Sequence, residues 1–206
     1  MKVILVNGSP HYQGCTYTAL EEVAKTLNSE GVETEIFWIG IKPLPGCVDC
    51  GNCKTTGRCA FEDSVNLFVD KVKDADGFIF GTPVHFASAA GAITSFMDRA
   101  FIVGASKLLN KPAAAIVSCR RGGTTATFDQ LNKYFSIRCM PIVSSQYWNQ
   151  VHGNTPEEVR KDLEGMQTMR TLGRNMAWLL KCIEAGKNSG IKVPEREPVV
   201  KTNFIR

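Results

Sequence analysis

Residues 2–18 read KVILVNGSPHYQGCTYT, and this stretch decides the fold. Its first part, residues 2–7, is a near-continuous apolar run rich in β-branched residues, as is typical of a strand buried on both faces. A Gly-Ser-Pro turn follows, and residues 16–30 then predict an amphipathic helix. Their apolar residues recur at helical spacing: Leu20, Val23, Ala24 and Leu27. A buried strand joined to such a helix is the repeating unit of parallel α/β sheets.

The same alternation of strand and helix continues to about residue 147. Strands are predicted at residues 2–7, 32–39, 77–81, 112–118 and 141–147. Helices are predicted at residues 16–30, 63–73, 90–103 and 124–137. Because parallel neighbours need crossover connections, this order predicts a doubly wound, five-stranded parallel sheet with helices on both faces.

The C-terminal third predicts one long helix. Thr155, Pro156 and Glu158 have the pattern of an N-cap, a first helical residue and a capping-box acid, and the helix is expected to end at Gly186. A last covering helix of the sheet is the default interpretation, and a subunit contact is the alternative. We therefore predict a single domain over residues 1–186, with a cysteine-rich loop at residues 43–62 (the cysteine loop), and an extended tail over residues 187–206.

The composition indicates an ordinary globular protein. The chain has 206 residues, of which 44% are hydrophobic and 21% are charged, with a net charge of +4 spread along its length. Scattered charge gives no sign of a nucleic-acid-binding arm, and no run approaches the roughly 20 apolar residues of a membrane span. The apolar run at residues 2–7 is too short for a signal peptide. We expect a cytoplasmic protein that has neither nucleic acid nor a membrane as its partner.

The loop after the first strand, residues 7–18, has the composition of a phosphate site. It leads directly into a helix, and the backbone amides and dipole of a helix N-terminus attract anions. Ser9, Thr16 and Thr18 add hydroxyl donors. The Lys of a Walker A loop and the three glycines of the dinucleotide fingerprint are missing, so a monophosphate fits best. A plain β-to-α turn with Ser and Thr as caps is the alternative.

A second loop, residues 81–91, is expected at the same edge, because ligands of open parallel sheets bind beyond the carboxyl ends of the strands. Pro83 stiffens the exit from the strand, and His85 and Phe86 offer flat rings there. Such a wall suits a planar heteroaromatic ligand, whose polar edge can bond to backbone amides. A His85 that faces solvent is the alternative.

A third loop, residues 118–125, runs from Ser118 through two arginines and two glycines. Gly122 and Gly123 permit close approach of the backbone to a ring. Arg120 or its neighbour could approach a phosphate or the electron-rich edge of the ring. The alternative is a surface turn with two solvated arginines.

Three motifs in this order resemble the NADPH-dependent FMN reductase group of flavodoxin-like proteins, over about residues 1–153. They are Gly8-Ser9-Pro10 with Gly14-Cys15-Thr16, Thr82-Pro83-Val84-His85-Phe86, and Met97-Asp98-Arg99. The resemblance implies the strand order 2-1-3-4-5 and FMN as cofactor. It implies that the FMN phosphate lies on Ser9, Cys15, Thr16 and Tyr17, and the ring against Pro83, Val84, His85 and Phe86. Thr18, Ser118, Arg120, Gly122 and Gly123 complete the candidate cofactor-binding residues.

Four of the eight cysteines form a compact motif, C-x₂-C-x₂-C-x₅-C, at Cys47, Cys50, Cys53 and Cys59. In a reducing compartment, clustered cysteines indicate metal or redox chemistry rather than disulfides. Ferredoxins use the same short steps, and four thiolates this compact can wrap one cubane cluster. Zinc fits less well, because its structural sites usually have two cysteine pairs separated by a longer insert. Of the four dispersed cysteines, we expect three to be small buried hydrophobes.

The cysteine motif and residues 140–153, MPIVSSQYWNQVHG, resemble the iron–sulfur flavoprotein branch of the same family. That resemblance implies a [4Fe–4S] cluster that exchanges single electrons with FMN near a subunit interface. A homodimer or homotetramer is therefore expected. The alternatives are a redox-active thiol loop and a motif that never holds a cluster.

The expected function is FMN-dependent electron transfer between NAD(P)H or a protein donor and a quinone, flavin or other acceptor. No catalytic acid or base is predicted, because hydride transfer to a flavin needs none and the protein supplies orientation and electrostatics. His85 and His152 are the only candidates near the predicted pocket. The alternative functions are a flavodoxin-type electron carrier without small-molecule turnover and a metal or redox sensor built on the cysteine loop.

Overall fold

A parallel sheet forms the centre of the molecule in a computed structural model that describes residues 1–202 and residue 204. Its strands are β1 (Lys2–Asn7), β2 (Glu33–Trp38), β3 (Gly77–His85), β5 (Ala113–Cys119) and β6 (Gln150–His152). They lie in the order β2-β1-β3-β5-β6, and a short strand, β4 (Ser88–Ala89), pairs antiparallel with the end of β3. This is the order 2-1-3-4-5 of the main strands, so the predicted fold class and strand order are confirmed.

Helices cover both faces of the sheet. They are α1 (Cys15–Ser29), α2 (Asn52–Thr56), α3 (Ser64–Val72), α4 (Gly91–Val103), α5 (Ala105–Leu108), α6 (Thr124–Ser136), α7 (Pro156–Lys161) and α8 (Leu163–Asn188). On one face, α1 and α8 pack around buried Leu20, Leu27, Met169 and Leu172. On the other, α3, α4 and α6 pack around buried Phe68, Phe96 and Phe135. None of the helices in the described residues is long and apolar enough to cross a bilayer.

The predicted strand over residues 141–147 is wrong. Only Ile142 reaches the sheet, in a single parallel bridge to Ala113, and the fifth main strand lies at Gln150–His152. The hydroxyl of Ser145 donates to the carbonyl of Tyr147, so the chain turns where a strand was expected. Tyr147 and Trp148 stand about half exposed and contact each other edge to face. This segment does not pair along its length, because β-propensity reflects packing on a half-buried surface more than a backbone preference.

The single long C-terminal helix is also corrected. Thr155 caps α7 as predicted, by accepting from the amide of Glu158 at 3.3 Å. The chain then breaks at Asp162, which caps a second helix by accepting from the amide of Gly165 at 2.9 Å. Gly186 lies inside α8 rather than at its end, so that helix runs to Asn188.

The predicted C-terminal tail is exposed over residues 191–202 and has no regular secondary structure there. Positions 203, 205 and 206 of the predicted tail lie outside the described residues. Of the dispersed cysteines only Cys119 is buried; Cys15 is half-buried, whereas Cys139 and Cys182 are exposed. The expectation of three buried cysteines is therefore wrong. These two exposed thiols lie outside the apolar cores of both faces.

Candidate cofactor site and cysteine loop

The first candidate loop, residues 7–18, forms hydrogen bonds within its own turn and leaves the N-terminus of α1 without a side-chain cap. Asn7 accepts from the amide of Ser9 at 3.1 Å, and the hydroxyl of Ser9 accepts from the amide of His11 at 3.1 Å. Helix α1 has Gly14 at its N-cap and no acidic residue in its first turn, and no side chain of the described residues caps it. Its first amides are therefore available to an anion. The hydroxyl of Thr18, which was expected to donate to the phosphate, instead donates to the carbonyl of Gly14.

Two neighbours of this helix start have defined partners. The Cys15 thiol donates to the carbonyl of Gly153 at 3.7 Å, and burial raises its pKa. The thiol therefore stays neutral near pH 7 and does not repel an anion. The ring of Tyr17 lies 6.1 Å from that of Tyr12, which in turn contacts Trp38. These aromatic rings lie between the start of α1 and the end of β2.

The structure brings the first and third loops into direct contact. The Thr16 and Ser118 hydroxyls lie 2.8 Å apart, and both side chains are buried. The amide of Gly8 donates to the carbonyl of Gly81 at 2.8 Å, which joins the first loop to the end of β3. A Cβ on Gly81 would lie 2.9 Å from the Thr16 methyl group, so glycine permits this close packing.

The second loop is a tight hairpin between β3 and β4. Phe86 and Ala87 form its turn with φ values of +52° and +59°, a left-handed conformation that costs non-glycine residues about 1–3 kcal/mol each. Strained turns of this kind cluster at ligand sites. The Phe86 side chain is fully exposed, and His85 is exposed beside it.

The third loop packs against that hairpin. Gly123 has a φ of +94°, and a Cβ there would lie 2.7 Å from the Cα of Ala87. Gln130 of α6 accepts from the Ser88 hydroxyl at 2.8 Å and from the amide of Ala89 at 3.1 Å. Gln130 escaped the sequence reasoning because it lies in the middle of a helix without a motif of its own. Its polar side chain among the apolar positions of α6 was the available signal.

We call these three converging loops, residues 7–18, 81–91 and 118–125, the carboxyl edge. The predicted cofactor-binding residues all lie on it, and those at its floor are buried: Ser9, Thr16, Thr18 and Ser118. Tyr17, Pro83, Val84 and Gly123 are half-buried, whereas Arg120 and Gly122 are exposed at the rim. Open helix amides, hydroxyls and an exposed hairpin form a donor set that fits a flavin monophosphate.

His152 lies at the end of β6, beside this edge. Its amide donates to Asp162 at 2.7 Å, and its Nδ1 lies 3.6 Å from the same carboxylate oxygen. Asp162 was not singled out from the sequence, because it lies inside what was predicted as one continuous helix. The role of the candidate site residues stays a prediction.

The cysteine loop lies on the α4 side of the sheet. Cys47, Cys50, Cys53 and Cys59 line one pocket together with Arg99. Cys47 and Cys50 are exposed, whereas Cys53, on α2, and Cys59 are half-buried. The four cysteines therefore border one concave space at the protein surface.

The cysteines of this pocket match a cubane cluster in the number and type of their donors. No three His, Cys, Asp or Glu side chains in residues 1–202 and 204 form a group that could hold one metal ion. A cubane asks for a different arrangement, because each of its four thiolates binds a different iron atom. The four cysteines that line this pocket supply the number and type of ligands that a cubane needs.

The fold and the open carboxyl edge define a flavodoxin-like α/β protein, and the comparisons give the family. The model of the NADPH-dependent FMN reductases matches residues 1–155. The chain belongs to this family, which supports FMN binding. The sequence resemblance to this group is confirmed.

Individual relatives agree with that assignment. An iron–sulfur flavoprotein of Methanocaldococcus jannaschii is 33% identical over 192 residues, which cover 89% of this chain and all of the relative. The solved structure of RosB with bound 8-demethyl-8-formylriboflavin-5′-phosphate has a TM-score of 0.72 at 15% identity, covering 100% of this chain and 94% of that one. An archaeal flavodoxin has a TM-score of 0.58 at 15% identity, covering 88% and 99%. At such identities the two structures show a shared fold.

Proposed function

We propose that this chain is an FMN-dependent oxidoreductase. It moves electrons between NAD(P)H or a protein donor and a quinone, flavin or other acceptor. The observation that carries the proposal is the convergence of three loops at the carboxyl ends of β1, β3 and β5, where open α/β sheets bind ligands. Bound FMN supplies hydride and single-electron chemistry.

The residues of the carboxyl edge have separate tasks. The open first turn of α1 binds the phosphate through backbone amides. Thr16 and Ser118, joined by their hydroxyls, keep the first and third loops at a fixed separation. The hairpin with Phe86 and the backbone at Gly123 orient the ring and exclude water from one of its faces. No side chain is assigned as acid or base.

We further propose that Cys47, Cys50, Cys53 and Cys59 hold a [4Fe–4S] cluster. The support is that these four cysteines line one pocket, together with relatives that carry the name iron–sulfur flavoprotein. When bound, such a cluster exchanges single electrons. The chain's own contribution is to present the four sulfurs at the surface of the α4 layer.

We also propose a homodimer or homotetramer in the cytoplasm. The support for self-association is exposed aromatic surface: Phe86 on the carboxyl edge, and the neighbouring pair Tyr147 and Trp148 before β6. Exposed apolar patches of this kind are typical of interaction sites. Sedimentation of the purified protein tests the assembly.

Anaerobic purification followed by visible spectroscopy tests the cofactors. We expect flavin absorbance after reconstitution with FMN, and iron and sulfide in equal amounts, about four of each per chain for one cubane. No flavin absorbance after reconstitution overturns the central proposal. Zinc without flavin would instead favour the sensor.

Steady-state kinetics separates an enzyme from a carrier. With FMN bound, we expect NADH or NADPH oxidation when a quinone or free flavin is present as acceptor. A flavodoxin-type carrier would bind FMN equally well and show almost no turnover with these small molecules. Apoprotein that is taken through the same procedure with FMN left out is the control for background oxidation.

A further inference from the structure

Arg99 is a buried cation on α4, with only 1% of its side chain exposed. Its two terminal nitrogens donate to the two carboxylate oxygens of Asp63, at 2.7 and 3.0 Å. A buried charge without a partner costs several kcal/mol, and this bidentate pair avoids that cost. Asp63 therefore accounts for the presence of a charge at this position.

Asp63 does not account for the rest of the guanidinium group. Nε and Nη2 of Arg99 both donate to the sulfur of Cys59, at 3.2 and 3.1 Å. A neutral thiol is a weak acceptor, whereas a metal-bound thiolate carries negative charge and accepts strongly. Two donors of a buried cation directed at one sulfur therefore suit a thiolate that binds metal.

The same guanidinium also holds the two ends of the cysteine loop. It donates to the carbonyls of Pro45 and Phe61, each at 3.3 Å, and lies 5.0 Å from the centre of the Phe61 ring. Pro45 precedes Cys47 by two residues, and Phe61 follows Cys59 by two. One side chain thus ties the start of the loop to its end.

Cys59 is held from its backbone as well. Buried Asn66 accepts from the amide of Cys59 at 2.9 Å and donates to its carbonyl at 3.0 Å. In the part of the chain that the structure describes, no side chain donates to the sulfur of Cys47, Cys50 or Cys53. Cys59 is therefore the one motif cysteine whose sulfur and backbone are both fixed by the surrounding protein.

We propose that Arg99 is a positioning residue for the cysteine-bound cluster: it fixes the Cys59 ligand and raises the reduction potential of the cluster. This inference rests on the proposed [4Fe–4S] occupant. Hydrogen bonds to ligand sulfurs and a nearby positive charge favour the reduced, more negative state. Helix α4 begins directly after the hairpin of the carboxyl edge and carries Arg99 into the pocket of the cysteine loop. One helix therefore connects the two regions.

The test is an anaerobic redox titration of the reconstituted protein, with the cluster followed by its electron paramagnetic resonance signal. Arg99→Lys keeps the positive charge and can pair with Asp63, but it loses the two donors on Cys59. At a fixed potential we expect the ratio of reduced to oxidised cluster to fall about tenfold, equivalent to about 59 mV for one electron. Arg99→Gln should lower it further, because it also removes the charge.

Arg58→Gln is the matched control. Arg58 is the immediate neighbour of Cys59 in the chain, but its exposed side chain pairs with Asp70 at 2.7 Å. This variant removes a charge near the cluster without removing a donor to sulfur. We expect it to change the ratio less than twofold.

The two proposals fail in different ways. Wild-type protein that takes up no iron or sulfide overturns the cluster and this inference together. Wild-type protein that holds the cluster, with Arg99→Lys at an unchanged ratio, overturns only the role of Arg99. Bound FMN, measured by its absorbance, should stay unchanged in all three variants.

A measurement on the unmutated residue keeps the proposal testable if the Arg99 variants do not fold. Protein labelled with ¹⁵N in its arginine guanidinium groups, in the Arg58→Gln background, is reduced and studied by pulsed electron paramagnetic resonance. We expect a ¹⁵N coupling to the cluster, because Nη2 of Arg99 lies 3.1 Å from a ligand sulfur. A reduced cluster without this coupling contradicts the proposal.

Discussion

The carboxyl edge and the cysteine loop are both built from loops, but they are held in place by different means. At the carboxyl edge, three loops leave adjacent strands of one sheet and contact one another through backbone and short hydroxyl side chains. The cysteine loop leaves the sheet after β2 and is held mainly by Arg99 and Asn66. The first region is therefore fixed by the fold itself, and the second by a few side chains. We expect the two to fail independently.

The largest expected effect is on the cysteine loop alone. Cys50→Ser should reduce bound iron after anaerobic reconstitution to near zero, because a cubane needs a thiolate on each corner. Cys50 is exposed, so FMN affinity should change less than twofold and the melting temperature little. Cys182→Ser, at an exposed cysteine of α8, is the control and should keep its iron. Loss of FMN together with iron in Cys50→Ser would show that the two regions are coupled.

The next effect is on the carboxyl edge alone. Gly123→Ala should weaken FMN binding at least tenfold, measured by quenching of flavin fluorescence. Its Cβ would lie 2.7 Å from the Cα of Ala87, at a φ of +94° that strains alanine. Gly186→Ala, inside α8 with only ordinary contacts of 3.7 Å or more around its new methyl group and no positive φ, is the control and should bind FMN normally. An iron content that falls in Gly123→Ala would contradict the independence of the two regions.

A smaller effect is expected from the hydroxyl pair that joins the first and third loops. Thr16→Val leaves the buried Ser118 hydroxyl unpaired, which costs about 1–3 kcal/mol of unfolding free energy. In the Thr16→Val/Ser118→Ala double variant, the two losses should not add, with a coupling of about 0.5–3 kcal/mol. Urea unfolding of the wild type, the two single variants and the double variant gives this double-mutant cycle. Additive losses would mean that the pair does not hold the loops together.

The smallest effect concerns the link between the sheet and α3, the helix that follows the cysteine loop. The Lys71 ammonium, hydrogen-bonded at 2.8 Å, lowers the pKa of Glu35 in β2, and Lys2 adds to this at 2.9 Å. Because the folded-state pKa is depressed, this stabilisation is present above the unfolded pKa of about 4.3 and is lost as pH falls through the folded value.

Glu35→Gln should therefore lose at most about 1 kcal/mol at pH 7, as is usual for partly exposed ion pairs. Unfolding measured from pH 7 down to pH 3 should show a smaller acid loss in this variant than in the wild type. Glu195→Gln, in the exposed tail, is the control and should follow the wild type. If stability falls with pH equally in Glu35→Gln and the wild type, the ion pairs of Glu35 do not stabilise the protein.

Local sequence patterns predicted most of the fold and the location of the candidate site. The predicted 16–30 helix differs from Cys15–Ser29 by one residue at each end, because its apolar spacing and the glycine after it are local signals. The strand at residues 141–147 was wrong, since only Ile142 pairs with the sheet and the chain turns at Ser145. The break at Asp162 was missed: its carboxylate accepts from the amide of Gly165 and from that of His152, and the second contact is not part of a helical pattern.

Sequence alone determined the first four main strands, the helices α1, α3, α4 and α6, the three loops that follow β1, β3 and β5, and the compact cysteine motif. These follow from periodicity and spacing, which are properties of neighbouring residues. The tertiary structure alone decided that Arg99 meets Cys59 across 40 residues and that Gln130 holds the hairpin 41 residues away. Contacts between distant segments arise only when the whole sheet and its covering helices pack, so no local pattern encodes them.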